Sequence, residues 1–438
     1  MTAARQPTLP SLVYDGWDWV GGSFPSSWES WPVSFDAVHE RSPASFTSAS
    51  FVPPPREVFI LGDAQGDPGA ILRSLVLCGG VAKLGPEDNE LELAPRGERG
   101  IFVFLGDMLG RGQSSLRVLR VLRRLSDLGA ELRVLAGNEE LRMYQALWAI
   151  GRQEGKYAHL TVRGGRQLVG WIREVLDDEA IDTSTVLSEE DAKRVLLVED
   201  EWFERFPEWM EGIVPERHRA REVDRIKEKC AEFVVALEEE KISFSQAASA
   251  AIGLRDACFS GEFQWFFDAM LLVERIGSAL FVHAGVNDTV AERIRADGGV
   301  DKLNREFQQE LREAPMRMYH GTLGNCVRTR YRISDEPLSD TGIRALEGAG
   351  VSLLVHGHSG INGEVEDGCQ RLSWRGGVMD LNCDVTINVH RRAISGIEDL
   401  GAAVVVLQPS GLLCGLSADS ATGRWIDCNG ATSSALPQ

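Results

Sequence analysis

The chain has no run of about 18 consecutive apolar residues, so no membrane-spanning helix is expected. Its start, Met1 to Leu12, carries an early Arg5 but no apolar stretch of the kind a secretory leader needs. It has no CxxC pair. The eight cysteines, at 78, 230, 258, 326, 369, 383, 414 and 428, are scattered, which argues against a zinc or disulfide framework and for free thiols in a reducing, cytoplasmic setting. No internal repeat is visible. Basic residues are outnumbered: 46 Lys and Arg stand against 65 Asp and Glu, for a net charge of −19. A surface this acidic repels phosphate backbones, so no long nucleic acid and no membrane is expected as a partner. A small anionic substrate stays compatible where metals and a few arginines neutralise the site. The oligomeric state leaves no mark in the sequence.

What is present describes a globular protein. Hydrophobic residues make up 43% and charged residues 25% of 438 positions, enough for one large domain with insertions or for two domains. Residues 1–55 read as an irregular arm, with Trp17, Trp19, Trp28 and Trp31 close together and Pro53-Pro54-Pro55 at its end. Tryptophans in that number suggest an arm that wraps across the body and buries them. From residue 57 the pattern becomes α/β. Val58–Leu61, Ile101–Leu105 and Leu132–Ala136 are short apolar runs that end in Gly-Asp, Gly-Asp and Gly-Asn and read as buried strands. Pro68–Leu77, Ser114–Leu128 and Glu139–Ile150 read as the helices that follow them. Residues 155–275 are strongly helical and charged, and are expected to form a helical insertion. Strand patterns return at Ala279–Val282 and Val351–Val355. The apolar tail from Gly376 to about Leu416 is expected to complete a second sheet. The expected division is an arm (1–55), a main domain (56–154 and 276–438) and the insertion (155–275).

Five segments carry the chemistry: Gly62-Asp63-Ala64-Gln65-Gly66, Gly106-Asp107-Met108-Leu109-Gly110-Arg111-Gly112, Gly137-Asn138-Glu139-Glu140, His283-Ala284-Gly285 and His356-Gly357-His358. Each sets a polar ligand just past the C-terminal end of a buried strand, where the reactive crevice of an open α/β sheet lies. One Gly-Asp after a strand means little; five strand ends with Asp, Asp, Asn, His and His-x-His point to a metal cluster. Carboxylate, amide oxygen and imidazole suit borderline divalent metals: manganese first, with iron or zinc as alternatives. A bridging carboxylate can hold two such ions about 3.5–4 Å apart, a pair that clamps a phosphoryl group and lowers the pKa of a bridging water.

Taken together, the segments resemble the calcineurin-like metallophosphoesterase superfamily, whose strand ends read GDxHG, GDxxDRG, GNHE, HGG or HAG, and GHxx. The resemblance covers roughly residues 57–150 and 276–410 and implies a four-layer α/β/β/α sandwich. It implies that Asp63, Gln65, Asp107 and His358 hold one metal and that Asp107, Asn138, His283 and His356 hold the other. It also implies that Arg111 binds phosphate oxygens as a forked donor. Arg328, Arg330 or Arg332, clustered between the fourth and fifth segments, is a candidate to join it.

Two departures fall on one function. Glu139 stands where the family has the His that protonates the leaving group, and Gly110 stands where the family often has the Asp that orients it. Two nearby dications would favour the ionised form of Glu139, a poor replacement acid. His320, in Met318-Tyr319-His320-Gly321, is another candidate for the missing acid. Lost general acid catalysis costs about 10²–10⁴-fold, and the cost falls on basic leaving groups such as a Ser or Thr alkoxide. The expected activity is therefore hydrolysis of a phosphoanhydride or activated phosphoester, on a phosphorylated small molecule or nucleotide. Gln65 in place of His, HAG rather than HGG, and Ser115-Leu116 after Arg111-Gly112 also resemble the bacterial symmetrical diadenosine tetraphosphatases. The rivals are a PPP-type serine/threonine phosphatase acting on a phosphoprotein and a catalytically impaired binding protein of the same fold. Restoring His at 139 alone is not expected to restore alkyl-ester hydrolysis, whereas adding Gly110→Asp is expected to help. The remaining single histidines, His39, His159, His218 and His390, are expected at the surface or in caps. Asp380 and Asn382 are expected mainly to close the second sheet.

Overall fold

The structure, a computed structural model, describes residues 34–36, 51–85, 87–110, 112–152, 155–212, 214, 216–296, 298–328, 338–358, 372–383, 403–417 and 422–429. The four arm tryptophans, Arg111, Arg330, Arg332, His39 and His390 lie outside them. The fold is mixed α/β. It divides into two compact units, one of residues 1–137, 270–308 and 322–438, the other of 138–269 and 309–321.

The first unit holds two large sheets. In chain order its strands are Ser34–Asp36 (β1), Val58–Leu61 (β2), Val81–Lys83 (β3), Leu91–Leu93 (β4), Ile101–Phe104 (β5), Glu131–Val134 (β6), Val273–Ile276 (β7), Ala279–Val282 (β8), Leu353–His356 (β9), Leu372–Arg375 (β10), Val378–Asn382 (β11), Ala403–Leu407 (β12), Leu412–Ser417 (β13) and Thr422–Asp427 (β14). Seven form one sheet in the order β1-β14-β13-β12-β2-β5-β6, five form another in the order β10-β11-β9-β8-β7, and β3 and β4 make a small hairpin. β2, β5 and β6 run parallel, as do β8, β9 and β11. The strands alternate faces with period two. Val58, Ile60, Ile101 and Val103 of the first sheet share one core with Ala279, Phe281, Leu353, Val355, Met379 and Leu381 of the second. The opposite face of the first sheet buries Phe59, Phe102 and Phe104 completely. Helix Pro68–Leu77 packs on β12 and on helix Ser115–Asp127. On the second sheet, helix Asp340–Gly348 packs on β11 and on helix Asp288–Arg295. Ser114 caps its helix by accepting from the Arg117 N–H, and Gly376-Gly377 is the two-residue turn between β10 and β11.

One expectation fails here. The apolar tail does not all complete the second sheet: among its described strands only β11 does, paired with β10 just before it. β12 pairs antiparallel with β2, Val405 opposite Ile60, and β13 and β14 extend the first sheet from it. An apolar run such as Ala403–Leu407 announces a strand covered on both faces. It does not say which sheet receives it.

The second unit is helical among its described residues, and the expected segment 155–275 supplies most of its helices. Helix Phe244–Phe259 is central: it contacts Asn138–Ala149, Arg166–Leu176 and Glu189–Leu196. Its buried Ala247, Ala248, Ala250 and Ala251 let neighbouring backbones approach closely, and a capping box of Ser243 and Gln246 starts it.

His159 is a second correction, since it is neither at the surface nor in a cap. It is fully buried, with Trp202 and Phe206 at ring centroid distances of 4.8 and 5.0 Å. Burial pushes its pKa down to about 3; the Glu222 carboxylate opposes the shift and the Arg163 guanidinium adds to it. The folded protein therefore keeps this ring neutral, while an unfolded chain protonates it below about pH 6.5. Its contribution is fully present above that value and is lost as pH falls toward 3. Thermal melting of wild type and His159→Phe between pH 7 and pH 4 should show the wild type losing stability more steeply (roughly the span of those two pKa values). Parallel curves would remove His159 as the cause.

Candidate functional site

The C-terminal ends of β2, β5, β8 and β9 carry four of the five segments in the first unit. Asp63 follows β2, Asp107 follows β5, His283 follows β8 directly and His358 lies two residues past the end of β9. The loops after β2 and β5 are joined by backbone hydrogen bonds: Gln65 N–H donates to the Asp107 carbonyl at 2.7 Å and Gly66 N–H to that of Met108 at 2.7 Å. The loops after β8 and β9 are joined by Gly357 N–H donating to the His283 carbonyl at 2.8 Å.

Three side chains converge there. One ligand atom each from Asp107, His283 and His358 lies within 4.8 Å of the others. Asp107 and His283 are buried, and His358 is half-buried. His283 Nδ1 is 2.8 Å from the Leu105 carbonyl. A carbonyl only accepts, so that contact places a ring proton on Nδ1. Nε2 stands 3.4 Å from Asp107 Oδ1. The Nδ1–H to carbonyl bond is the usual way a metal-binding imidazole is oriented, and it turns the other ring nitrogen toward the Asp107 carboxylate. The donor set therefore fits a divalent ion.

The other sequence candidates take supporting or separate positions. Asp63 is fully buried and accepts from the His358 N–H, at 3.1 Å to Oδ2. Gln65 Nε2 donates to Asp107 Oδ2 at 3.4 Å, so its amide nitrogen faces the carboxylate. His356 is engaged at both nitrogens, by the Gly357 carbonyl and by Asp380 Oδ1, each at 2.9 Å. Asp380, on β11, was expected mainly to close a sheet. It does both, because the parallel register of β11 on β9 sets it within reach of His356. A carboxylate inside the apolar stretch Val378-Met379-Asp380-Leu381 was the signal for it. Arg328 is buried two residues past Cys326, whose carbonyl accepts from the Ala284 N–H beside His283.

Asn138, Glu139 and His320 belong to the second unit. Asn138 opens helix Asn138–Ala149; its Oδ1 is buried without a hydrogen-bond partner, and its amide donates to Glu139 Oε1 at 3.1 Å. The Glu139 carboxylate is buried and accepts from Arg142 Nη1 at 2.6 and 2.8 Å and from Gln167 Nε2 at 2.8 Å. His320 is buried at the end of helix Pro315–His320.

Strain collects at the ligand positions. Gln65, Asp107 and His358 have φ of 48°, 52° and 61°, left-handed values that cost a non-glycine residue about 1–3 kcal/mol each. Gly110 revises the remedy suggested by the sequence. Its φ is 155°, and an added Cβ would sit 3.1 Å from Gln65 Cα, so Gly110→Asp strains the loop that carries the ligands instead of helping.

No protein family's sequence profile matches the chain, and no curated protein matches it. Among solved structures, the chain is similar to a cold-active protein tyrosine phosphatase at 15% identity, covering 86% of this chain and 80% of that one, with a TM-score of 0.42. It is likewise similar to the cold-active protein-tyrosine phosphatase of a psychrophile Shewanella species at 14% identity, covering 84% and 80%, with a TM-score of 0.41.

Gly357 has no room for a side chain, since a Cβ there would lie 2.3 Å from Asp63 Oδ1. Gly357→Ala should push the Asp63 carboxylate away from the His358 N–H and weaken Mn²⁺ binding by about 10- to 100-fold, the usual cost of losing a support around metal ligands. Calorimetric titration of Mn²⁺ into metal-stripped protein measures this; unchanged affinity would show that Asp63 has no part in holding the ligands.

Proposed function

We propose that this protein is a metal-dependent phosphoesterase that hydrolyses a phosphoanhydride or an activated phosphoester. The observation that carries the proposal is the convergence of Asp107, His283 and His358, with His283 Nε2 turned toward the Asp107 carboxylate. The two sheets with one shared core, and helices packed on β12 and β11, support the four-layer arrangement of the calcineurin-like superfamily. In the first unit, Asp107, His283 and His358 would hold an ion directly, and Asp63 and Gln65 are the residues from which a second would draw ligands; His356 would join them only by giving up its bond to Asp380 or to the Gly357 carbonyl. Divalent ions bound there, manganese by the donor set, would supply Lewis acidity beside the phosphorus and neutralise phosphoryl charge.

The chain's own residues do the positioning. The Leu105 carbonyl fixes the His283 ring, the His358 N–H holds Asp63, and Asp380 holds His356. Burial of Asp63, Asp107 and His283 keeps bulk water away from these groups, which strengthens every charge interaction among them. Glu at position 139, where the resembled family has its proton-donating His, supports a leaving group that needs no protein proton, and so a nucleotide phosphate or an aryl oxide over a serine or threonine alkoxide.

Turnover of diadenosine tetraphosphate, p-nitrophenyl phosphate and a phosphoserine peptide, each with Mn²⁺, separates the possibilities. The first two should exceed the peptide by about 10²-fold or more, and Asp107→Asn should abolish all turnover. Peptide hydrolysis as fast as anhydride hydrolysis would identify a protein phosphatase instead. Bound Mn²⁺ with no turnover on any of the three would identify a binding protein.

A further inference from the structure

The second unit contains a cleft of about 410 Å³ bordered by Tyr144, Trp148, Phe259, Arg152, Arg255 and Arg312. All six belong to that unit, and none of them is among the candidates for the metal centre. The volume lies within the range of pockets that take small organic ligands. Its composition is unusual for a chain with a net charge of −19: three guanidiniums meet at one opening.

The arginines are held in different ways. Arg152 lies over the Trp148 ring, 3.7 Å from its centroid, and donates from Nε to the Trp148 carbonyl at 2.8 Å. It makes no salt bridge to a carboxylate among the described residues. Arg255 donates to the Ile150 carbonyl at 3.3 Å and pairs with Asp256 at 2.8 Å. Arg312 pairs with the exposed Asp268 at 3.1 Å, and its carbonyl accepts from Trp148 Nε1 at 3.0 Å. Exposed pairs of this kind contribute little and exchange readily for a better anion. A guanidinium stacked on an aromatic ring keeps its edge donors directed outward, an arrangement suited to phosphate oxygens.

Tyr144 supplies an independent observation. The residue as a whole is only 7% exposed, its hydroxyl is accessible, and that hydroxyl makes no hydrogen bond among the described residues. Its ring packs against Phe259 at 4.9 Å and Phe267 at 5.7 Å, which fixes the direction of the hydroxyl. Burial holds the phenol pKa above its ordinary value, so at neutral pH the group is a donor. A hydroxyl that opens into the cleft and is taken by no protein acceptor is available to donate to a ligand there.

We infer that this cleft binds a mononucleotide: the arginines take the phosphate, the aromatic wall takes the base, and the Tyr144 hydroxyl donates to the ligand. The inference does not depend on the metal centre, because every residue it uses lies in the second unit. Full-length protein stripped of metal and kept in chelator should bind AMP in a calorimetric titration, with adenosine and inorganic phosphate each weaker by about tenfold or more. Loss of one hydrogen bond to a charged group, about 1.5–3 kcal/mol, is at least tenfold in affinity. Tyr144→Phe, which keeps the ring packing, and Arg152→Gln should therefore each weaken AMP by about tenfold without lowering the melting temperature. Absence of AMP binding, AMP affinity unchanged in both variants, or phosphate binding as tight as AMP would each overturn the inference. A chelator-sensitive AMP signal would also overturn it, since binding would then belong to the metal centre.

Discussion

The hydrogen bond from His283 to the Leu105 carbonyl is the contact on which the site depends. It runs from the end of a strand in the five-stranded sheet to the segment following a strand of the seven-stranded sheet. Without the shared core the two strand ends would have no reason to meet. Val103 and Leu105 on one side and Phe281 and Val355 on the other bring them together. The bond then does something packing alone cannot: it fixes the orientation of the imidazole ring. That orientation turns Nε2 toward Asp107 and sets two buried groups at a spacing that suits a shared cation.

The loops around this contact carry the cost. Three of the four non-glycine residues with left-handed φ among the described residues are Gln65, Asp107 and His358. Such conformations persist only where surrounding bonds over-determine them. Here the bonds are visible: Gln65 N–H to the Asp107 carbonyl, Gly112 N–H to the Gln65 carbonyl at 2.6 Å, and His358 N–H to Asp63. Each strained residue is thus pinned by a group from another strand end. Rigidity of this kind holds ligands at fixed spacing when no ion is bound, which lowers the reorganisation needed to bind one.

Local signals were legible in the sequence and long-range ones were not. Val58–Leu61 and Ala279–Val282 were readable to the residue because an uninterrupted apolar run ends sharply in Gly-Asp or His. The helix Ser115–Asp127 was readable from the amphipathic stretch Ser114–Leu128. The destination of Ala403–Leu407 was not, because its pairing with Val58–Leu61 spans most of the chain and any buried strand would look the same. Asp107, His283 and His358 could be named as candidates from their strand ends. The role of the Leu105 carbonyl could not, since a backbone oxygen leaves no mark in a sequence. Asp380 was underweighted because its partner, His356, is set by strand register rather than by spacing. His159 was misread because a lone histidine among charged residues gives no hint that Trp202 and Phe206 enclose it.

The central claim is that a cation belongs among Asp107, His283 and His358. Crystals grown with Mn²⁺ and measured at the manganese absorption edge test it most directly. The account predicts an anomalous peak bonded to the Asp107 carboxylate, His283 Nε2 and the His358 ring, with the His283 to Leu105 bond intact. Saturating Mn²⁺ with no peak at those three residues would contradict it.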